Sequence, residues 1–108
     1  MASYGFGQGN LGLPGLIVGY LPRAYDVTIS PAEVDANTSA EQTFTVAGLT
    51  TSDVVTVNKP TAQAGLGIVG ARVSAANTLA ITFGNFTAAG ITPTASQTYK
   101  VVAVRCAA

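Results

Sequence analysis

Few side chains in this sequence could carry chemistry, and the first to consider is the lone cysteine, Cys106. The chain of 108 residues contains no histidine, so Cys–His and Ser–His–Asp arrangements are excluded. A single cysteine cannot form an internal disulfide, and we expect an unreactive thiol at this position. The sequence therefore predicts a protein that is not an enzyme, with no cofactor and no metal site.

The acidic residues are the remaining candidates for acid–base or metal chemistry. Glu33 and Asp35 lie close together after Pro31, and paired carboxylates can bind Ca²⁺ through hard oxygen ligands. The dense Asp, Asn and Gly spacing of a calcium loop is absent, so we interpret the pair as solvated residues of a turn. The other acids are Asp26, Glu41 and Asp53.

Residues 65–70 match the G-x-G-x-x-G pattern of dinucleotide-binding loops. In those loops a strand comes before the glycines, a helix that binds the pyrophosphate follows, and an acid about 20 residues on binds the ribose. Here residues 60–64 form a loop, an alternating strand pattern follows, and no acid occurs after Asp53. We therefore predict a Gly-rich entry into a strand.

Charge is sparse along the whole chain. Five Lys plus Arg balance five Asp plus Glu, and only 9% of residues are charged, against roughly 25% in ordinary soluble domains. The cations form no cluster that would neutralise nucleic-acid phosphates, and no run of about 20 apolar residues could span a membrane. Because near-zero net charge promotes association, we expect apolar surface to be covered by partner proteins. A small monomer with a Thr- and Ser-rich surface is the alternative.

From Tyr25 onward, apolar and polar residues alternate with period two, which is typical of half-buried strands. Six such segments predict one all-β domain over residues 25–108, a small antiparallel β-sandwich or barrel-like domain. We expect the last segment to be a central strand because both of its faces carry valines. Residues 34–42 are predicted to form a loop, with one helical turn as the alternative. The six segments are residues 26–30, 43–46, 54–57, 69–74, 78–83 and 99–104.

The aromatic residues give little support for a sugar-binding surface. Carbohydrate sites present flat aromatic faces beside carboxylates and amides, and the chain has no tryptophan. Phe44 and Phe83 fit core positions by their periodicity, which leaves few rings for the surface. The sequence signal for glycan binding is therefore weak.

Residues 1–24 differ from the rest and form a predicted Gly-rich apolar arm. They hold six of the twelve glycines, and the first charged residue is Arg23. Such glycine density disfavours helix and long strand, whereas the apolar content disfavours an ordinary solvated tail. The cationic flank of a secretory signal is also absent. We expect the arm to dock on another chain, or alternatively on its own domain, through Leu11, Leu13, Leu16, Ile17, Val18 and Tyr20.

Seven sequence blocks follow one another in a characteristic order between residues 27 and 102. They are residues 27–31 (VTISP), 43–49 (TFTVAGL), 53–60 (DVVTVNKP), 65–69 (GLGIV), 71–79 (ARVSAANTL), 81–85 (ITFGN) and 99–102 (YKVV). This order resembles a small β-domain that recurs in structural proteins of tailed bacteriophages. The arm lies outside the resemblance.

The resemblance implies a capsid decoration (cement), head-fibre or tail-associated role. A tail fibre normally carries long shaft repeats, whereas this chain has a short arm and one β-domain. We therefore expect a decoration protein, made in the host cytoplasm and placed on the capsid surface of the virion. Its partners would be the major capsid protein and sister copies, with a homotrimer favoured and with no nucleic acid or membrane partner. The alternative is a head-fibre or tail-associated adhesion module that binds host surface glycans.

Overall fold

The computed structural model describes residues 21–105, which form six β-strands and, within that range, no helix. The runs of Val, Ile, Thr and aromatic residues favour extended backbone, and Gly, Pro and Asn interrupt them. The strands are β1 (Leu21–Ile29), β2 (Thr38–Thr45), β3 (Asp53–Asn58), β4 (Leu66–Ala75), β5 (Thr78–Asn85) and β6 (Gln97–Arg105).

The six strands pair into two antiparallel sheets of three strands each. The first sheet has the order β1-β6-β3, and the second has the order β2-β5-β4. In the first sheet β6 is the central strand, with Val101 opposite Tyr25 of β1 and opposite Val57 of β3. The expected central position of the last strand is thus confirmed.

The core lies between the two sheets and is built by the alternation of side chains along each strand. Tyr99 of the first sheet meets Phe83 of the second edge to face, with ring centroids 6.5 Å apart. Burying each large apolar side chain contributes about 1.5–3 kcal/mol before ordering costs. The buried apolar cluster comprises Ile29, Val34, Val46, Leu49, Val55, Leu66, Val73, Leu79, Ile81, Phe83, Tyr99, Val101 and Ala103.

The β4–β5 hairpin is tied to the turn after β2 through Asn77. This residue adopts a left-handed conformation (φ 59°), which asparagine tolerates better than most residues. Its side-chain oxygen accepts a hydrogen bond from the Gly48 N–H at 2.9 Å, and its own N–H donates to the Leu49 carbonyl at 2.8 Å. One residue therefore holds two turns together at the same end of the sandwich.

The all-β sandwich predicted from the alternation is confirmed, whereas the prediction of a loop over residues 34–42 holds for residues 34–37 and is wrong for residues 38–42. Strand β2 already begins at Thr38, and only Ala40, Gln42 and Phe44 turn partly inward. Because the first half of β2 lies at a sheet edge with polar residues on both faces, its period-two signal is faint in the sequence. Strand β1 begins at Leu21, so residues 21–24, which the sequence pattern places at the end of the arm, belong to a strand.

The glycines at residues 65–70 enter a strand, as expected. Gly65 occupies a turn with φ of 79°, and β4 begins at the next residue. No helix follows to bind a pyrophosphate within the described part of the chain.

Candidate interaction surfaces

All six predicted contact residues of the arm lie outside residues 21–105, and so does Cys106. Docking through the arm therefore remains a prediction. What the structure adds is the surface around the point where the arm joins β1, together with a second exposed patch on the opposite sheet. The six residues are Leu11, Leu13, Leu16, Ile17, Val18 and Tyr20.

The outer face of the first sheet exposes apolar side chains at the end where β1 begins. Val54 of β3 is 63% exposed and Val102 of β6 is 42% exposed. In the register of the sheet, Val104 is opposite both Pro22 and Val54, and Val102 is opposite Ala24 and the exposed Thr56 in the neighbouring row. We call this surface the valine face, comprising Pro22, Ala24, Val54, Val102 and Val104.

The valine face gives way to polar residues further along the same strands. In the next row Lys100 binds Asp26 at 2.8 Å, and both side chains are well exposed. Beyond that pair, the hydroxyls of Thr28 and Thr98 are hydrogen-bonded at 2.9 Å. The apolar surface is thus confined to one end of the sheet, adjacent to the junction with residues 1–20.

A cluster of three charged residues closes the core at that same end. The Asp53 carboxylate of β3 is fully buried and accepts hydrogen bonds from Arg105 of β6 at 2.9 and 3.2 Å. It also accepts one from the Thr50 N–H at 2.9 Å. Arg23 of β1 places a guanidinium nitrogen 2.7 Å from the same carboxylate, as an ion pair outside ideal hydrogen-bond alignment. The cluster therefore joins all three strands of the first sheet.

The pKa of Asp53 is held well below its usual value, mainly by the hydrogen bonds from Arg105. Burial opposes this shift, while the Thr50 N–H and Arg23 add to it. The same contacts raise the pKa of Arg105. Two guanidinium groups cover the carboxylate, so it is shielded by its partners and held in the ionised state. Sequence reasoning missed this cluster because its members are brought together only by the pairing of both β1 and β3 with β6.

The outer face of the second sheet carries a different patch, centred on an exposed aromatic ring. Phe86 is 71% exposed and Val69 is 54% exposed, and both lie over Gly84. A Cβ atom at Gly84 would stand 2.9 Å from each of them. Together they border a shallow cleft of about 600 Å³, lined by Asn37, Thr38, Ser39, Val69, Asn85 and Phe86. We call it the Phe86 cleft.

A buried asparagine fixes the chain on which Phe86 lies. The Asn85 amide nitrogen donates to the carbonyls of Val34 at 3.0 Å and Ala89 at 2.8 Å. Its oxygen accepts from the N–H and the hydroxyl of Thr87, at 2.9 and 2.8 Å. Phe86 itself donates its N–H to the Gly65 carbonyl at 2.8 Å. The ring is therefore held on an ordered segment despite its exposure.

The acidic side chains that accept hydrogen bonds from Arg or Lys form ion pairs, and these pairs lie at separate places on the domain. Glu41 binds Arg72 through two hydrogen bonds of 2.8 and 2.9 Å, which lower the pKa of Glu41. Among residues 21–105, no three His, Cys, Asp or Glu side chains gather into a group that could hold a metal ion. Within the same range no helix is long and apolar enough to cross a membrane.

Comparison with known proteins found no match for this chain. No family model matches the chain, and neither does any curated protein or any solved structure. The resemblance of the sequence blocks to phage virion domains therefore stays a prediction, and the two surfaces are interpreted from their own chemistry.

Proposed function

We propose that this chain is a structural virion protein of a tailed bacteriophage, a capsid decoration (cement) protein. In this role it binds the assembled capsid surface and bridges neighbouring subunits of the major capsid protein, as a homo-oligomer for which a trimer is favoured. The proposal rests on the valine face, the exposed apolar surface next to the junction with the arm. The resemblance of the sequence blocks supports the choice of a virion.

The valine face favours association because an outer sheet face in water normally carries polar side chains. Covering the exposed parts of Val54 and Val102 would contribute on the order of 1 kcal/mol for each, before ordering costs. Such contacts are weak individually, but an oligomer that engages several subunits at once gains avidity without new contacts. Binding only the assembled lattice would stabilise that lattice by mass action.

The arm would extend the same contact. It precedes β1, which begins at Leu21. The next residue, Pro22, lies in the same row of the sheet as Val104 and Val54. The arm's apolar, uncharged composition matches the neighbouring valine face, and side chains from Leu11 to Tyr20 would add apolar area on the capsid.

Co-sedimentation with assembled capsids that lack the protein tests the proposal. We expect the double variant Val54→Ser and Val102→Ser, and separately a deletion of residues 1–20, to weaken binding at least about tenfold. The deletion leaves β1 complete, and circular dichroism should show that both variants remain folded. Val69→Ser, on the opposite sheet, is the matched control and should bind like the unaltered protein. Unchanged binding by both test variants would contradict the proposal.

The oligomeric state provides a separate test. Sedimentation equilibrium at micromolar concentration should show a species larger than one chain. A monomer throughout that range would remove the symmetric oligomer from the proposal.

The second candidate is a head-fibre or tail-associated adhesion module that binds host surface glycans. The observation that favours it is the Phe86 cleft, where an exposed ring stands beside amide and hydroxyl side chains. Deletion of residues 1–20 separates the two candidates, because glycan binding should survive the loss of the arm whereas capsid binding should not.

A further inference from the structure

We propose that the Phe86 cleft binds a neutral saccharide, with one sugar ring stacked on Phe86. The inference rests on the adhesion candidate and names its site and the class of its ligand. The cleft lies on the outer face of the second sheet, while the valine face lies on the outer face of the first. A module docked through one sheet can therefore present the other, and the two roles are compatible.

The ring of Phe86 is presented in a way that suits stacking. It is 71% exposed, its backbone N–H is bonded to Gly65, and the preceding Asn85 is fully buried and hydrogen-bonded. Gly84 allows the ring and Val69 to lie close to the sheet, since a side chain there would collide with both. Because hydrogen bonds fix the backbone that carries the ring, ligand binding would restrict only the side-chain torsions of Phe86.

Polar groups beside the ring are available to a ligand. Ser39 is directly opposite Gly84 in the register of the sheet, so its side chain shares the outer face with Phe86. Asn37 and Thr38 complete that side of the cleft. Within residues 21–105 the side chains of these three residues make no hydrogen bond to one another or to other residues, which leaves an amide and two hydroxyls free to bind sugar hydroxyls.

The absence of charge in the lining selects the class of ligand. None of the six lining residues is charged, and the nearest charges along β2, at Glu41, are already paired with Arg72. A phosphate or nucleic acid would require cations beside the stacking ring. A neutral sugar instead offers an apolar C–H face to the ring and hydroxyls to the amide. The cleft volume of about 600 Å³ lies in the usual range for small-molecule sites.

Nuclear magnetic resonance titration of the full chain with methyl glucoside, methyl galactoside and N-acetylglucosamine tests the inference. We expect at least one sugar to bind with a dissociation constant in the millimolar range or tighter. The amide shifts should be confined to residues 37–39, Val69 and residues 84–87. Phe86→Ala should weaken binding at least about tenfold, whereas Phe86→Tyr, which keeps a stacking ring, should retain it.

Two controls distinguish a failure of the sugar-binding inference from a failure of the proposed capsid role. Val102→Ala, on the valine face, should leave sugar binding unchanged, and Phe86→Ala should leave capsid co-sedimentation unchanged. Because Phe86 is exposed, both Phe86 variants should unfold at the same urea concentration as the unaltered protein. No shift with any of the three sugars, or shifts that persist in Phe86→Ala, would overturn the inference while leaving the capsid proposal in place.

Discussion

Replacement of Asp53 by asparagine tests whether the charged cluster holds the first sheet together. The carboxylate accepts three hydrogen bonds from Arg105 and Thr50 and forms an ion pair with Arg23. Asparagine keeps one acceptor oxygen but turns an N–H₂ group towards guanidinium donors, so about two charge-assisted contacts are lost. Each such contact contributes about 1.5–3 kcal/mol when it is shielded from water.

Exposure to solvent reduces the free energy that these contacts contribute, because the side chains of both arginine partners are partly exposed, Arg23 by 32% and Arg105 by 45%. We therefore expect Asp53→Asn to lower the free energy of unfolding at pH 7 by about 2–3 kcal/mol. For a domain of this size that corresponds to a fall in Tm of about 10–20 °C. Urea unfolding followed by circular dichroism measures the difference directly.

The effect of Asp53→Asn on the free energy of unfolding should depend on pH. The pKa of Asp53 is lower in the folded state than its value of about 3.9 in an unfolded chain. Its stabilisation is therefore complete above about pH 4 and is lost as the pH falls towards the depressed folded value. The difference between the unaltered protein and Asp53→Asn should accordingly narrow below pH 4.

Asp26→Asn is the matched control for Asp53→Asn. It removes an ion pair of similar length, 2.8 Å to Lys100, but one in which both side chains are exposed. We expect it to change the free energy of unfolding by no more than about 1 kcal/mol. Equal urea midpoints for Asp53→Asn and the unaltered protein at pH 7, or a gap that does not narrow in acid, would refute the structural role of the cluster.

Three further substitutions test other parts of the structure by urea unfolding. Asn85→Ala removes four hydrogen bonds from a buried amide and should lower the free energy of unfolding by about 2–4 kcal/mol. Asn58→Ala, at an exposed position, should change it little. Similar losses of stability for the two variants would contradict the proposed network. Tyr99→Phe removes a buried hydroxyl that has no hydrogen-bond partner within residues 21–105, so stability should stay constant or rise by up to about 1 kcal/mol, and a clear loss would reveal a partner for that hydroxyl. Glu41→Gln breaks a surface pair with Arg72, and its effect on the midpoint should be small and should shrink further in high salt; a large, salt-independent effect would be inconsistent with an exposed pair.

Much of the fold could be predicted because strand periodicity is a local property. Val55 and Val57 alternate with Val54 and Thr56 in the sequence, and the structure places the first two inward and the last two outward. The position of β6 at the centre of its sheet also followed from its valines. The first half of β2, residues 38–42, escaped prediction because its edge position tolerates Ser, Thr, Glu and Gln on both faces, which removes the contrast that marks a strand.

The candidate surfaces depend on long-range pairing, which the sequence does not display. Phe86 follows a predicted core strand, and nothing in its neighbours indicates that its ring lies outward over Gly84. The valine face likewise requires that β1 and β3 both pair with β6, although β1 and β6 lie at opposite ends of the chain. Its valines were visible in the sequence as an apolar pattern but not as one continuous surface.

The amino-acid sequence by itself determined the class of the fold and the scarcity of charge. It also excluded catalytic arrangements that require histidine. These properties follow from composition and from the period-two spacing of side chains along single strands. Only the tertiary structure decided which apolar residues are buried and which stay in contact with water, because that depends on which sheet covers each face. It also joined Asp53 to Arg23 and Arg105, whose charges meet only when β3 and β1 flank β6.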